Sequence, residues 1–261
     1  MVNTPSDWKN YEDFAAGIDT NRIPQTEALR DTALTVSWET GRQFTVKFTT
    51  KHSMRWEDER GAGDGWYEAI EVAPHTYFLD MTFNERKRDA LTLIVNVETL
   101  RTLSILSHVR PEPVVGEPQV TQTFTPGVLS KNGKEASGMV PAPSRDLIGK
   151  RTWQRYSPNH LYEHTYLSSQ RYCWQCLIGE QRGHGDVDLS TTYKFADNLY
   201  LFTFREFKIA VASVFFFNFD SMRSTGKFLG IKGNGEIENN AAGAYMKIAS
   251  VTEYERGAEP V

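Results

Sequence analysis

The chain has 261 residues, enough for one large or two small domains with a sizeable core. Its 39% hydrophobic and 24% charged shares are those of a soluble globular protein, and a formal net charge of −4 offers no footprint for nucleic acid or an anionic membrane. The longest apolar run, Ile209 to Phe217, is about half of what a bilayer-spanning helix needs, and the first residues carry no basic stretch leading into an apolar one, so a soluble, cytoplasmic protein without a membrane partner is expected.

Residues 1–24 read as an N-terminal arm. Ser6 is placed to cap a short helix running through Trp8 and Tyr11 to Phe14, and Gly17 to stop it. Thr26 to Arg30 suits one helical turn. From Ala33 the hydrophobic period becomes two. Leu34–Trp38, Gln43–Thr49, His52–Trp56, Trp66–Val72, Thr76–Phe83, Ala90–Val97 and Thr102–Val109 give seven short strands over 25–110. Residues 111–145 read as linker and loops: Pro111 to Pro118 breaks the pattern, and Ser130 to Arg145 is rich in Gly, Pro, Ser and Lys. A second series fills 146–261, with Arg151–Tyr156, Leu161–Leu167, Arg171–Leu177, Asp188–Phe195, Leu199–Phe207, Ile209–Phe219 and Gly226–Ile231. Asn234-Gly235 signals a hairpin. Tyr245 to Glu255 suits a last strand or a covering helix.

The two series echo each other. Arg60-Gly-Ala-Gly-Asp64 matches Arg182-Gly-His-Gly-Asp186, and Val95 to Thr102 matches Phe217 to Ser224, both at an offset of 122; Thr76-Tyr-Phe-Leu79 matches Leu199-Tyr-Leu-Phe202 at 123. Three matches in one order mark a tandem duplication. Each copy has enough strands to close by itself, which removes exposed edges. Two antiparallel barrels side by side are therefore preferred over two half-sheets of one sandwich. The fold class is all-β with a short N-terminal helix.

Cys173 and Cys176 are the only cysteines. On a strand their side chains point to opposite faces, so they read as reduced packing residues rather than a redox or zinc pair. The two Arg-Gly-x-Gly-Asp stretches read as turns, where glycine supplies positive φ. His184, Asp186 and Asp188 have their first-copy counterparts at Ala62, Asp64 and Trp66, which leaves only the aspartate shared and gives no metal site. No cofactor is expected. The paired sets Asn96/Glu98/Arg101 and Asn218/Asp220/Arg223 read as strand-end scaffolding.

Phe14-Ala-Ala-Gly-Ile-Asp-Thr-Asn-Arg-Ile-Pro24 resembles the MoaF family. So do Tyr162-x-His164-x-Tyr166, Arg171-Tyr-x-Trp174, Gly183-x-Gly185-Asp-x-Asp188 and Leu199-Tyr-Leu-Phe-x-Phe-Arg-Glu206. The resemblance covers nearly the whole chain and implies an N-terminal and a C-terminal domain, each a lipocalin-like (calycin) barrel. The family name implies molybdenum-cofactor biosynthesis, yet the sequence has no P-loop, Rossmann fingerprint or basic cluster for a phosphorylated cofactor.

Strand alternation sorts the second copy into faces. Tyr162, His164 and Tyr166 share one, Tyr172, Trp174 and Cys176 another, and Tyr200, Phe202, Phe204 and Glu206 a third, with Arg205 on the opposite side of its strand. A barrel interior so lined suits a small aromatic or terpenoid ligand. His164, Glu206 and Tyr166 are the expected catalytic groups: an imidazole, a carboxyl raised by desolvation, and a phenol. Tyr162, Tyr172, Trp174, Tyr193, Tyr200, Phe202, Phe204 and Arg205 are the expected substrate-binding residues. The expected activity is a cofactor-free acid/base step in secondary metabolism: isomerisation, cyclisation, dehydration or decarboxylation, the work of a lyase or isomerase. The alternative is a non-catalytic carrier or ligand-responsive regulator using the same cavity. The first copy, poorer in such groups, is expected to support the second or to form a homodimer surface.

Overall fold

The alternating segments fold into two closed antiparallel barrels of eight strands each in this computed structural model, which describes residues 8–131 and 133–261. The first is a simple meander: β1 (Ala33–Trp38), β2 (Gln43–Phe48), β3 (Ser53–Asp58), β4 (Gly61–Ala73), β5 (Thr76–Phe83), β6 (Asp89–Asn96), β7 (Arg101–Val109) and β8 (Val120–Leu129). It closes where Val36 and Trp38 of β1 pair with Leu129 and Gly127 of β8. The two-residue β9 (Ala142–Pro143) hangs on the second barrel. That barrel consists of β10 (Lys150–Ser157), β11 (His160–Tyr166), β12 (Arg171–Ile178), β13 (Gly185–Ala196), β14 (Leu199–Arg205), β15 (Val211–Asn218), β16 (Arg223–Ile231) and β17 (Ile237–Val251). Its ring is completed by the β10–β17 and β12–β13 ladders.

Three expectations need correction. Residues 120–129 are not linker but the strand that closes the first barrel. Its side chains between Val120 and Leu129 are mostly half-buried, so no alternation shows, and Pro126-Gly127 mimics a turn. Gly127 is there for space: a Cβ would lie 2.8 Å from the Ser37 carbonyl oxygen of β1. Gly61 to Asp64 is not a turn but the start of β4, paired with β3. The helix, α1 (Tyr11–Ala15), is shorter than expected. The Asn10 N–H donates to the Asp13 carboxylate at its start, 3.0 Å away, while Ser6 lies outside the described residues. The 245–255 ambiguity resolves to strand, as the end of β17.

The duplication shows in backbone detail. Asn96 Oδ1 accepts the N–H groups of Glu98 and Thr99, and Asn218 Oδ1 those of Asp220 and Ser221, so both copies make the same turn. Leu100 and Met222 follow it in the left-handed region, at φ 63° and 52°; His75 and Asn198 repeat the match at 58° and 59°. Non-glycine residues seldom adopt that conformation, and two such coincidences at corresponding positions argue for a copied module.

Each strand buries one face inside its own barrel. The outer faces of part of each barrel meet and form a further core of Ile70, Phe78, Ile94, Leu201, Val214 and Phe216, among others. Side chains of that size are worth roughly 1.5–3 kcal/mol each when fully buried, so the barrels dock along an apolar seam. Polar groups cross it as well. Asn218 Nδ2 donates to the Val72 carbonyl at 2.9 Å, Gln122 Nε2 to that of Ser213 at 2.8 Å, and Lys227 pairs with Asp80 at 2.6 Å.

Candidate functional site

The arm that precedes the first barrel crosses to the second and seals one of its mouths. Tyr11 and Phe14, buried on one side of α1, do the sealing: the Tyr11 hydroxyl donates to the Phe228 carbonyl at 2.9 Å, and Phe14 packs edge-on against the Phe228 ring, centroids 5.9 Å apart. The Gly243 N–H donates to the Ile18 carbonyl, and the Gly233 N–H to the Glu12 carboxylate. Trp8 meets Trp174 edge-on, with Lys208 Nζ 3.9 Å from the Trp8 ring centroid on its face.

Beneath this roof lies a cavity of about 30 Å³, walled by Phe14, Ile18, Tyr156, Tyr162, His164, Tyr172, Trp174, Gln181, Phe204, Glu206 and Phe228. That is room for about one water molecule. The inward alternation of β11, β12 and β14 delivers His164, Tyr172 and Phe204, and Glu206 follows directly after β14, where the strand reaches the mouth.

The electrostatics of this cavity follow from burial. His164, 3% exposed, is ringed by Tyr166, Tyr172, Phe202 and Phe204, and burial pulls its pKa down to about 3. Its Nδ1 is buried without a hydrogen-bond partner. Burial, reinforced by the nearby Asp188 and Asp186 carboxylates, pushes Glu206 well above the usual carboxylate range. Burial also raises Asp188 to about 6, against the lowering effect of the Trp174 indole N–H that donates to it at 3.0 Å. Burial therefore keeps the imidazole neutral at neutral pH and favours the protonated form of the Glu206 carboxyl. Among the described residues, the Glu206 carboxyl and the Tyr156 and Tyr172 hydroxyls have no protein partner, whereas the Tyr162 hydroxyl donates to Gln181 Oε1 at 2.9 Å.

Of the residues singled out in the sequence, His164, Glu206, Tyr162, Tyr172, Trp174 and Phe204 converge on the cavity. Five sit elsewhere. Tyr166 lies deeper, its hydroxyl 3.2 Å from Thr152 Oγ1, and Phe202 stacks on Phe217 in the barrel core. Tyr200 reaches a different part of the barrel and donates to Asp146 at 2.8 Å. Tyr193 stacks on Phe124 at the seam between barrels. Arg205 points out of the barrel to Gln122, Thr191 and Thr203. Sequence reasoning missed Tyr156, Gln181, Phe228 and the arm residues Phe14 and Ile18. Tyr156 and Phe228 could have been found by extending the inward alternation along β10 and β16. Gln181 lies in a turn, and the arm gives no sequence signal for the barrel it covers.

The chain is similar to two family descriptions: the MoaF N-terminal domain over residues 6–111 and the MoaF C-terminal domain over residues 141–252. A curated relative, "Protein MoaF" of Klebsiella aerogenes, is 30% identical over 216 residues, which is 78% of this chain and 80% of that protein. Among solved structures, a DNA polymerase III β chain from Streptococcus pneumoniae TIGR4 aligns over 92% of this chain and 82% of its own at 9% identity. Its TM-score of 0.14 supports no argument.

Proposed function

The chain belongs to the MoaF family, and from that footing we propose that its second barrel binds a small, uncharged, ring-bearing molecule and moves a proton on it without a cofactor. One observation carries this reading: four polar groups without protein partners, those of His164, Glu206, Tyr156 and Tyr172, ring one aromatic cavity. His164 Nδ1 is fully buried, and such a group costs about 1–3 kcal/mol if nothing satisfies it. A ligand carbonyl or hydroxyl supplies the missing partners, and the rings supply the apolar seat.

With the arm docked, the cavity is too small for such a ligand. Phe14, a ring held against Phe228, occupies the place of one. Binding therefore requires the arm to lift and vacate the volumes of Phe14 and Ile18, after which closure excludes water.

The chemistry follows from the two shifted groups. Glu206 gives the proton of its carboxyl to a ligand carbonyl oxygen as the neutral His164 takes one from the adjacent carbon; the electron pair of the broken C–H bond forms the new C=C bond of an enol. Concerted transfer leaves a carboxylate and an imidazolium, each of which offsets the charge of the other in the dry cavity. His164 then gives its proton to a second carbon, at the far end of a C=C bond conjugated with the enol, while the enol O–H returns its proton to the Glu206 carboxylate and the C=O bond re-forms; the product is an isomer and both groups are restored. Pairs of groups pushed apart in pKa by their surroundings suit this division of labour.

The test is native mass spectrometry of freshly purified chain, followed by incubation in D₂O. A small neutral adduct that takes up carbon-bound deuterium on the wild-type chain but not on Glu206→Gln supports the reading. An adduct that binds both chains and exchanges no carbon-bound hydrogen on either favours a carrier, the second reading, which the same unpartnered groups also suit.

A further inference from the structure

The corresponding mouth of the first barrel is open where that of the second is plugged. The two mouths match strand for strand. Trp38 and Tyr156 lie at the end of the first strand, Phe44 and Tyr162 near the start of the second, Phe83 and Glu206 at or just past the end of the fifth, and Leu106 and Phe228 on the seventh. In the second barrel the chain seats a ring of its own at this place, Phe14 edge-on against Phe228 with centroids 5.9 Å apart. Among the described residues no arm covers the first mouth, and Leu106, in the position of Phe228, lines a cavity of about 170 Å³. An apolar cavity of about 150 Å³ holds benzene. The first copy thus has room for one ring and a short substituent where the second copy seats a phenylalanine.

The walls divide by chemistry. Trp38, Phe44, Phe83, Leu91 and Leu106 make the cavity mainly apolar. Across the β7–β8 ladder Ser104 faces Thr125 and Leu106 faces Thr123, which turns three hydroxyls inward along one side. Ser104 Oγ accepts the Trp38 indole N–H at 3.2 Å, whereas the Thr123 and Thr125 hydroxyls have no protein partner among the described residues. Thr123 is exposed although it faces inward, so that side of the cavity is accessible. A hydroxyl both donates and accepts, and so suits an alcohol or a carbonyl.

The charges of the rim cancel. Arg42 pairs with Glu59, Arg86 with Asp58 at 3.0 Å, and Arg60 lies 3.6 Å from Asp58 and 3.9 Å from Asp89. Three guanidinium groups face three carboxylates, and neither sign is in excess. An ion entering here sheds hydration and finds every opposite charge already engaged; an uncharged ligand meets neither cost.

We propose that the mouth of the first barrel is a binding site for a small uncharged molecule with a single ring and one alcohol or carbonyl group, its ring against Trp38, Phe44 and Leu106 and its polar group at Thr123 and Thr125. The site is separate from the cavity of the second barrel and does not depend on the reading given for that one.

Isothermal titration of the full chain with benzyl alcohol, benzoate and benzylammonium tests it, with far-UV circular dichroism used to confirm that each variant is folded. Benzyl alcohol is expected to bind about tenfold or more tightly than either ion. Leu106→Trp should abolish that binding by filling the cavity, Thr123→Val should weaken it roughly fivefold, and Glu206→Gln should leave it unchanged. If Leu106→Trp fails to fold, Thr123→Val carries the comparison. The site is overturned if benzyl alcohol fails to bind at millimolar concentration or if benzoate or benzylammonium binds as tightly. It is equally overturned if benzyl alcohol binding survives in folded Leu106→Trp, is indifferent to Thr123→Val, or is lost in Glu206→Gln, the last of which would put the molecule in the second barrel.

Discussion

Phe14 stands ahead of the first barrel in sequence, yet its ring rests edge-on against Phe228 of the second, centroids 5.9 Å apart. The arm thus ties the front of the chain to the mouth of the later copy. A roof held by one short helix and a few backbone hydrogen bonds can open without either barrel unfolding.

That gives a first prediction. Phe14→Ala should speed amide exchange at Gly243, whose N–H is held by the Ile18 carbonyl, and at Gly233, held by Glu12, by about tenfold or more. Amides in the core strands β14 and β15 should change much less. Uniform acceleration across all of them would mean that the arm opens only on global unfolding and is no lid.

The oppositely shifted groups give opposite pH slopes. His164 has a folded pKa near 3 against about 6.5 when exposed, so the unfolded chain binds the extra proton and stability falls as pH drops from 6.5 toward 3. Glu206 has a raised folded pKa, so its contribution is intact below the ordinary carboxylate pKa of about 4.5 and is lost as pH rises toward the folded value. Denaturant unfolding across pH 3–8 should therefore show His164→Leu with a flatter acid limb. Glu206→Gln should gain on the parent as pH rises above about 4.5. Parallel curves for parent and variants would remove the electrostatic basis of the site.

A third prediction concerns the seam. Lys227 and Asp80 are each 1% exposed and 2.6 Å apart, with Asn239 Nδ2 donating to the same carboxylate at 2.6 Å. Removing one partner leaves a buried charge, so Asp80→Asn should cost about 3–5 kcal/mol. Combining Asp80→Leu with Lys227→Met should return most of that loss, since apolar replacement of a buried pair is often neutral. A double variant as unstable as the single one would show that the pair contributes more than its own neutralisation.

Arg205 supplies a fourth. It reaches Gln122 of the first barrel and lies outside the cavity, so Arg205→Met should weaken the seam and leave ligand occupancy of the second barrel within about twofold. Loss, in a folded Arg205→Met chain, of a ligand that the parent chain retains would contradict its placement.

Period-two alternation made the two barrels legible, because each strand buries one face. It also placed His164, Tyr172, Trp174 and Phe204 inward, since those residues obey the same alternation. The strand Val120–Leu129 was hidden because most of its side chains are half-buried and its Pro126-Gly127 imitates a turn. Alternation separates faces but not depths, which is why Tyr166 and Phe202 looked like wall residues and are core. Tyr200 shares their face but lies away from the mouth that forms the cavity. Phe14 and Ile18 could not be assigned, because nothing local says which barrel an arm will cover. The first barrel's cavity was equally invisible: its charged residues lie near turns, and only the closed ring brings Arg42, Arg60 and Arg86 to one rim.

The protonation state of Glu206 at neutral pH tests the account most directly. An infrared difference spectrum between the parent and Glu206→Gln at pH 7 should show the C=O stretch of one protonated carboxylic acid in the parent, absent from the variant. A difference spectrum showing an ionised carboxylate instead would contradict the neutral acid on which the proposed proton transfer depends.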